Sequence, residues 1–158
     1  MTLLYFSLEK ITKNLKINYL FFLIFLFSNS LEAGKLKINV VNLDQKVGLI
    51  HFALYNKPDL FPEKKGKIFG LAKNAKEIFD NGLIIENLEE SEYAVAIFHD
   101  ENSNDKFDTF LAIPQEKYGF SNDAPIFFGP PDFKDAAFFV GDNDFVEIYI
   151  KLRWVKEF

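Results

Sequence analysis

From Leu36 onward the chain alternates. Leu36, Ile38 and Val40 are separated by Lys37 and Asn39, the period-2 pattern of a strand with one buried face. Gly48 opens a second such segment, Leu49 to Tyr55, with Ile50, Phe52 and Leu54 on one side. Leu83-Ile84-Ile85 follows the turn signal Asn81-Gly82. Tyr93 to Phe98 (YAVAIF) is apolar on both faces, which predicts a central strand covered on both sides. Ala136 to Val140 predicts another strand. In the last one, Val146, Ile148, Ile150, Leu152 and Trp154 oppose Glu147, Lys151 and Arg153.

Residues 57–80 break this rhythm. Pro58, Pro62, Gly66 and Gly70 punctuate an irregular stretch with room for a seventh strand in 57–70. Leu71, Ala75, Ile78 and Phe79 then fall at helical spacing and predict one short amphipathic helix or irregular insertion. Asn74 and Asp80 are poor helix formers within it. Short strands separated by turns, with no strand–helix alternation, predict an all-β antiparallel β-sandwich of about seven strands.

The N-terminus follows another rule. Lys10, Lys13 and Lys16 precede the unbroken apolar run Tyr19–Phe27, and Ser28-Asn29-Ser30 places small residues where a signal peptidase reads them. The run is shorter than the roughly 20 residues a membrane-spanning helix needs. The expectation is a signal peptide over residues 1–30, cleaved near Ser30, and a single domain over 31–158 in a bacterial periplasm or outside the cell.

Composition narrows the function classes. The net charge of -5 argues against a nucleic-acid partner held through phosphates. The absence of cysteine excludes disulfides, thiol nucleophiles and thiolate metal sites. The 20 phenylalanines reflect A/T-rich coding rather than selection for function, and either way they predict a thick core of large flat side chains.

Candidate chemistry gathers after YAVAIF, in His99-Asp100-Glu101-Asn102-Ser103-Asn104-Asp105-Lys106-Phe107-Asp108. Alternate oxygen-bearing side chains let a curled loop aim several oxygens inward, which suits a hard cation such as calcium. On that reading Asp100, Asn102 and Asn104 ligate first, Lys106 offers its backbone carbonyl, and Asp108 acts directly or through water. The loop departs from an EF-hand at two places. Asp105 stands where the sharp turn uses glycine, and Leu111 where a bidentate Glu closes the site; Glu116 would have to substitute from a distance. The alternative is a solvated loop whose Asp and Asn side chains cap their own backbone. His51 is expected at the sheet surface or edge, and His99 as an anchor of the loop. Gly119 is expected to allow a turn with positive φ.

The segment Glu92–Asn122 resembles the signature of DUF2141, a family of exported bacterial proteins of uncharacterised function. The likeness is carried by Tyr93-Ala94-Val95, His99-Asp100-Glu101-Asn102, Asn104, Lys106, Asp108, Ile113-Pro114, Glu116 and Tyr118-Gly119-Phe120-Ser121-Asn122, followed by Pro130-Pro131, Phe133 and Ala136. Asp105 and Ala112 replace two glycines of the pattern. The resemblance implies a prealbumin-like or Cna-B-like (Ig-like) sandwich and no established activity. The functional expectation is a non-enzymatic accessory module of the cell envelope. It would bind a carbohydrate or an envelope protein through His99, Glu101, Glu116, Tyr118, Phe120, Ser121 and Asn122. A structural domain with a calcium-stabilised loop and a hydrolase using the acidic residues are the alternatives.

Overall fold

A computed structural model describes residues 33–127 and 129–155. The export signal expected at residues 1–30 lies outside them. In chain order the strands are β1 (Gly34–Val41), β2 (Leu49–Tyr55), β3 (Phe69–Asn74), β4 (Leu83–Leu88), β5 (Ser91–Asp100), β6 (Thr109–Phe110), β7 (Ile113–Pro114), β8 (Tyr118–Phe120), β9 (Phe138–Val140) and β10 (Phe145–Lys151). The α-helices are α1 (Ala75–Asn81) and α2 (Phe133–Ala136). The protein is therefore mostly β, with more strands than the seven expected. The surplus is in three strands of only two or three residues: β6, β7 and β8.

One sheet has the order β10-β1-β4, and the other runs β3-β2-β5-β8 with β9 also on β5. Most pairs are antiparallel, but β1 and β10 are parallel, with Ile38 opposite Ile148. The exception to the expected antiparallel arrangement has a topological cause. The chain spends β5 to β9 in the other sheet and ribbon before β10 returns beside β1, so no hairpin dictates the direction of that pair.

The alternation read from the sequence sets the faces. Leu36, Ile38 and Ile150 of the first sheet share one buried cluster with Ile50, Phe52, Leu54, Val95 and Ile97 of the second. This core is aliphatic rather than aromatic; Phe52 is its one fully buried phenylalanine among the described residues. A second cluster covers the opposite face of β5. There Ala94 and Ala96 leave room for Tyr55, Phe61, Phe120 and Phe133. Phe61 meets Tyr55, Phe120 and Phe133 edge-on at centroid distances of 5.1, 5.8 and 5.8 Å, a favoured aromatic geometry. Both faces of YAVAIF are thus covered, as its pattern predicts.

Two boundaries differ from the sequence expectation. The helix expected from Leu71 begins at Ala75. Residues up to Asn74 continue β3, where Leu71 pairs with Phe52. Asn74 then caps the helix, its side chain accepting from the N–H groups of Lys76 and Glu77. Its low helix propensity and its value as a cap share one cause, a side chain that bonds nearby backbone. The strand expected at Ala136–Val140 shortens to Phe138–Val140, because Phe133–Ala136 coils into α2.

β8 ties the two layers at one corner. Its Tyr118 exchanges two 3.0 Å backbone hydrogen bonds with Arg153, just past β10. Gly119 does not adopt the positive φ expected of it. A Cβ there would lie 2.4 Å from the Lys151 carbonyl oxygen, so glycine serves close approach between strands.

Candidate functional site

β5 ends in His99 and Asp100, and strand alternation sends these side chains to opposite faces. His99 is 1% exposed. Its Nε2–H donates to the Val47 carbonyl at 2.7 Å, and its Nδ1 lies 3.6 Å from Glu101 Oε1. His99 therefore anchors the strand preceding the loop to the chain entering β2. Gly48 permits this contact: a Cβ at its position would stand 2.1 Å from the Asp100 carbonyl oxygen.

Asp100 is fully buried and organises the loop. Its Oδ1 accepts the Asn104 N–H at 3.1 Å, and its Oδ2 accepts the Asp105 N–H at 2.8 Å. Oδ2 also lies 3.2 Å from His51 Nε2. Burial alone would raise the Asp100 pKa, but these donors together hold it below the ordinary carboxylate value. Asn102 Oδ1 accepts the Asn104 N–H at 3.0 Å, and Asn104 Oδ1 accepts the Lys106 N–H at 2.8 Å. Successive side chains thus curl the backbone as Asx-turns, with Ser103 and Asp105 at φ 58° and 60°. Asp105 takes the left-handed conformation that glycine would supply more cheaply.

Asp108 and Glu116 close the loop. Both carboxamide nitrogens, Asn102 Nδ2 and Asn104 Nδ2, donate to Asp108 Oδ2 at 2.8 and 2.9 Å. The Asp108 N–H donates to Glu116 Oε2 at 3.1 Å, and the Gln115 N–H to the Asp108 carbonyl at 2.9 Å. Glu116 is 5% exposed, and its other oxygen, Oε1, is buried without a hydrogen-bond partner. Burial first, then the charges of Asp100, Asp108 and Glu101, push its carboxyl up to about 7; the Asp108 N–H opposes them. Asp100, Asn102, Asn104, Lys106 and Asp108, the residues expected as ligands, thus lie along a loop curled by their own hydrogen bonds, and Glu116 meets it at the Asp108 N–H.

His51 lies on the outer face of the second sheet, half-buried, and not at the sheet's edge, because β2 has neighbours on both sides. Its ring stacks on Phe98, with centroids 4.4 Å apart and planes at 6°. Asp105 Oδ1 approaches its Nε2 at 3.6 Å, so His51, Asp100 and Asp105 form a polar triplet beside the loop. Phe98 also meets Phe107 at 5.2 Å, and Phe107 meets Tyr118 edge-on at 5.5 Å. These rings seat the middle of the loop on the outer face of the second sheet.

The ligand surface expected from the sequence is not continuous. His99, Glu116, Tyr118, Phe120 and Ser121 are buried, so they present no open face; only Glu101 and Asn122 are exposed. Tyr118 and Phe120 belong to the second core cluster. What the loop region exposes instead is the ribbon β6–β7. Phe110, Leu111 and Ile113 stand 65%, 81% and 52% exposed around a turn in which Leu111 and Ala112 have φ of 49° and 65°.

Two β-sheets that share a buried core, with few helices, define the class: an all-β domain. The family model for an uncharacterised protein conserved in bacteria (DUF2141) matches residues 38–147, and the chain belongs to this family. No curated protein and no solved structure matches it.

Proposed function

We propose that the chain acts, after export and cleavage near Ser30, as a non-enzymatic accessory module of the bacterial envelope, and that it docks a protein partner through the ribbon β6–β7. The two face-to-face sheets are read as a prealbumin-like or Cna-B-like sandwich serving as the frame. One observation carries the reading: Phe110, Leu111 and Ile113 are exposed together on a ribbon whose base is fastened by Asp108, Gln115 and Glu116. Burying each of these side chains against a partner is worth roughly 1.5–3 kcal/mol. A ribbon already held in shape gives up little ordering entropy on binding. Aliphatic neighbours around Phe110 suit a protein surface better than a sugar, which stacks on flat rings flanked by hydrogen-bonding groups. The non-enzymatic part rests on His99. It is buried, engaged by the Val47 carbonyl, and on the opposite face of β5 from Asp100, so the two do not converge as acid and base.

A photo-crosslinking residue at Leu111, compared with one at exposed Lys65, tests this in the native envelope. A discrete protein adduct from position 111 alone is the expected result. The same adducts from both positions, no adduct, or a glycan adduct would each end the proposal.

A further inference from the structure

The loop and Glu116, whose contact with Asp108 also fastens the base of the ribbon, together describe a second site. We infer that Asp100, Asn102, Asn104, the Lys106 carbonyl, Asp108 and Glu116 form a calcium site, with Glu116 as the closing ligand delivered across the β6–β7 ribbon.

The first five donors follow the alternate spacing of a calcium loop, and Asp100 already organises the curl by accepting the N–H groups of Asn104 and Asp105. Such a loop usually ends in a bidentate Glu at its twelfth position, which here is Leu111, exposed at the ribbon tip. The ribbon Thr109–Pro114 is in effect inserted between the donor at the ninth position, Asp108, and the last. It is folded back on itself, Thr109 opposite Pro114, so Glu116 returns to Asp108 and accepts its N–H at 3.1 Å. A reader of spacing alone finds no closing carboxylate; the hairpin supplies one.

The independent observation is Glu116 Oε1. It is a carboxylate oxygen on a side chain 5% exposed, without a hydrogen-bond partner, in the group that holds Asp108. Burying such an atom unpaired is costly, and several acidic groups around it make it costlier. A divalent cation supplies both the missing partner and the missing positive charge. Asp108 Oδ2, beside it, collects the amide nitrogens of Asn102 and Asn104 and so carries the other free negative charge of the loop's closure.

The donor set selects the metal class. All six donors are oxygens, and His51 approaches Asp100 as a hydrogen-bonding neighbour of Oδ2, so a zinc or copper site gains nothing here. Five side chains and a carbonyl on a curled loop suit the larger, more tolerant calcium shell better than the strict octahedron of magnesium.

The test is calorimetric titration of the chelator-stripped protein, purified as the cell makes it, with calcium chloride and separately with magnesium chloride. One saturable calcium site is expected, with Tm rising by about 5–10 °C when calcium stands 100-fold above Kd. Glu116→Gln keeps the shape and removes the charge; it should weaken calcium at least about tenfold, whereas Glu77→Gln on α1 should leave it unchanged. Asp108→Asn provides the same comparison should Glu116→Gln fail to fold. Absence of saturable calcium heat would overturn the site, meaning that Glu116 is neutralised by a proton alone. Calcium binding indifferent to both Glu116→Gln and Asp108→Asn would also overturn it, as would magnesium binding as tight as calcium. None of these readouts depends on what the ribbon binds.

Discussion

The hydroxyl of Ser121 accepts the backbone N–H of Val95 at 2.9 Å and thereby fills a gap in the second sheet. One edge of β5 is shared: β9 pairs with Ser91–Tyr93, and β8 with Ala96–Phe98. Between them the Val95 N–H faces no strand, and Ser121 takes the strand's place. The same hydroxyl donates to the Ala136 carbonyl at 2.6 Å, fastening α2 to the sheet. Ser121→Ala would leave both buried backbone groups unpaired, at about 1–3 kcal/mol for such a loss. Urea unfolding should show a lower midpoint with an unchanged slope. An unchanged midpoint would mean that water takes over the role of the hydroxyl.

Gly119 sets the distance between β8 and the end of β10. Beyond the Lys151 carbonyl, an added Cβ would also press on Ile150 Cγ2 at 3.0 Å. The first obstacle is backbone and cannot rotate away. Gly119→Ala should therefore cost about 1–3 kcal/mol, the usual range for overpacking. Amide exchange should quicken at Tyr118 and Arg153, whose paired hydrogen bonds depend on that approach. Wild-type protection at both amides in Gly119→Ala would show that the corner is looser than its geometry indicates.

Face and strand were legible in the sequence where side-chain alternation decides them. Leu36, Ile38 and Ile150 point into the core as their period demands, and the small residues of YAVAIF announced a second covering layer. Pairing was not legible, because period 2 fixes a face but not a neighbour. The contact of His51 with Asp100 follows from the register that sets Leu49 opposite Asp100, which no local pattern contains. Tyr118 and Phe120, expected on a ligand surface, are buried by the three-residue β8 and the segment folded over it, a contact no local pattern contains. The self-capping curl of the loop was legible from its Asp and Asn spacing, whereas the approach of Glu116 to Asp108 depends on a hairpin of two-residue strands.

Asn74 separates β3 from α1, and its side chain makes the separation. Its Oδ1 accepts the Lys76 N–H at 3.0 Å and, more weakly, the Glu77 N–H at 3.4 Å. Asn74→Ala should cost about 1 kcal/mol, the usual loss at an N-cap. Asn74→Asp should recover it, since a carboxylate caps as well and favours the positive end of the helix. Equal stability of the Ala and Asp variants in denaturant unfolding would remove the cap from the account of this boundary.

Glu116 gives the metal-free protein a pH dependence of definite sign. Its carboxyl is raised from an ordinary 4.5 to about 7, chiefly by burial. Between these values the folded chain holds a proton that the unfolded chain has released. The associated stability is fully present below about 4.5 and is lost as pH rises through about 7. At about 1.4 kcal/mol per pKa unit the loss is on the order of 3 kcal/mol, an upper figure because the nearby acids titrate with it. Asp100 acts in the opposite direction and lower down. Its depressed pKa contributes stability above the ordinary Asp value of 3.8, and that stability disappears as pH falls through the folded pKa. In chelator-stripped buffer, Tm should therefore fall from pH 5 to pH 8, and Glu116→Gln should flatten the slope. Calcium should flatten it in the wild type as well, by stabilising the ionised carboxylate. The same fall in wild type and Glu116→Gln would show that other groups set the pH dependence of the metal-free fold.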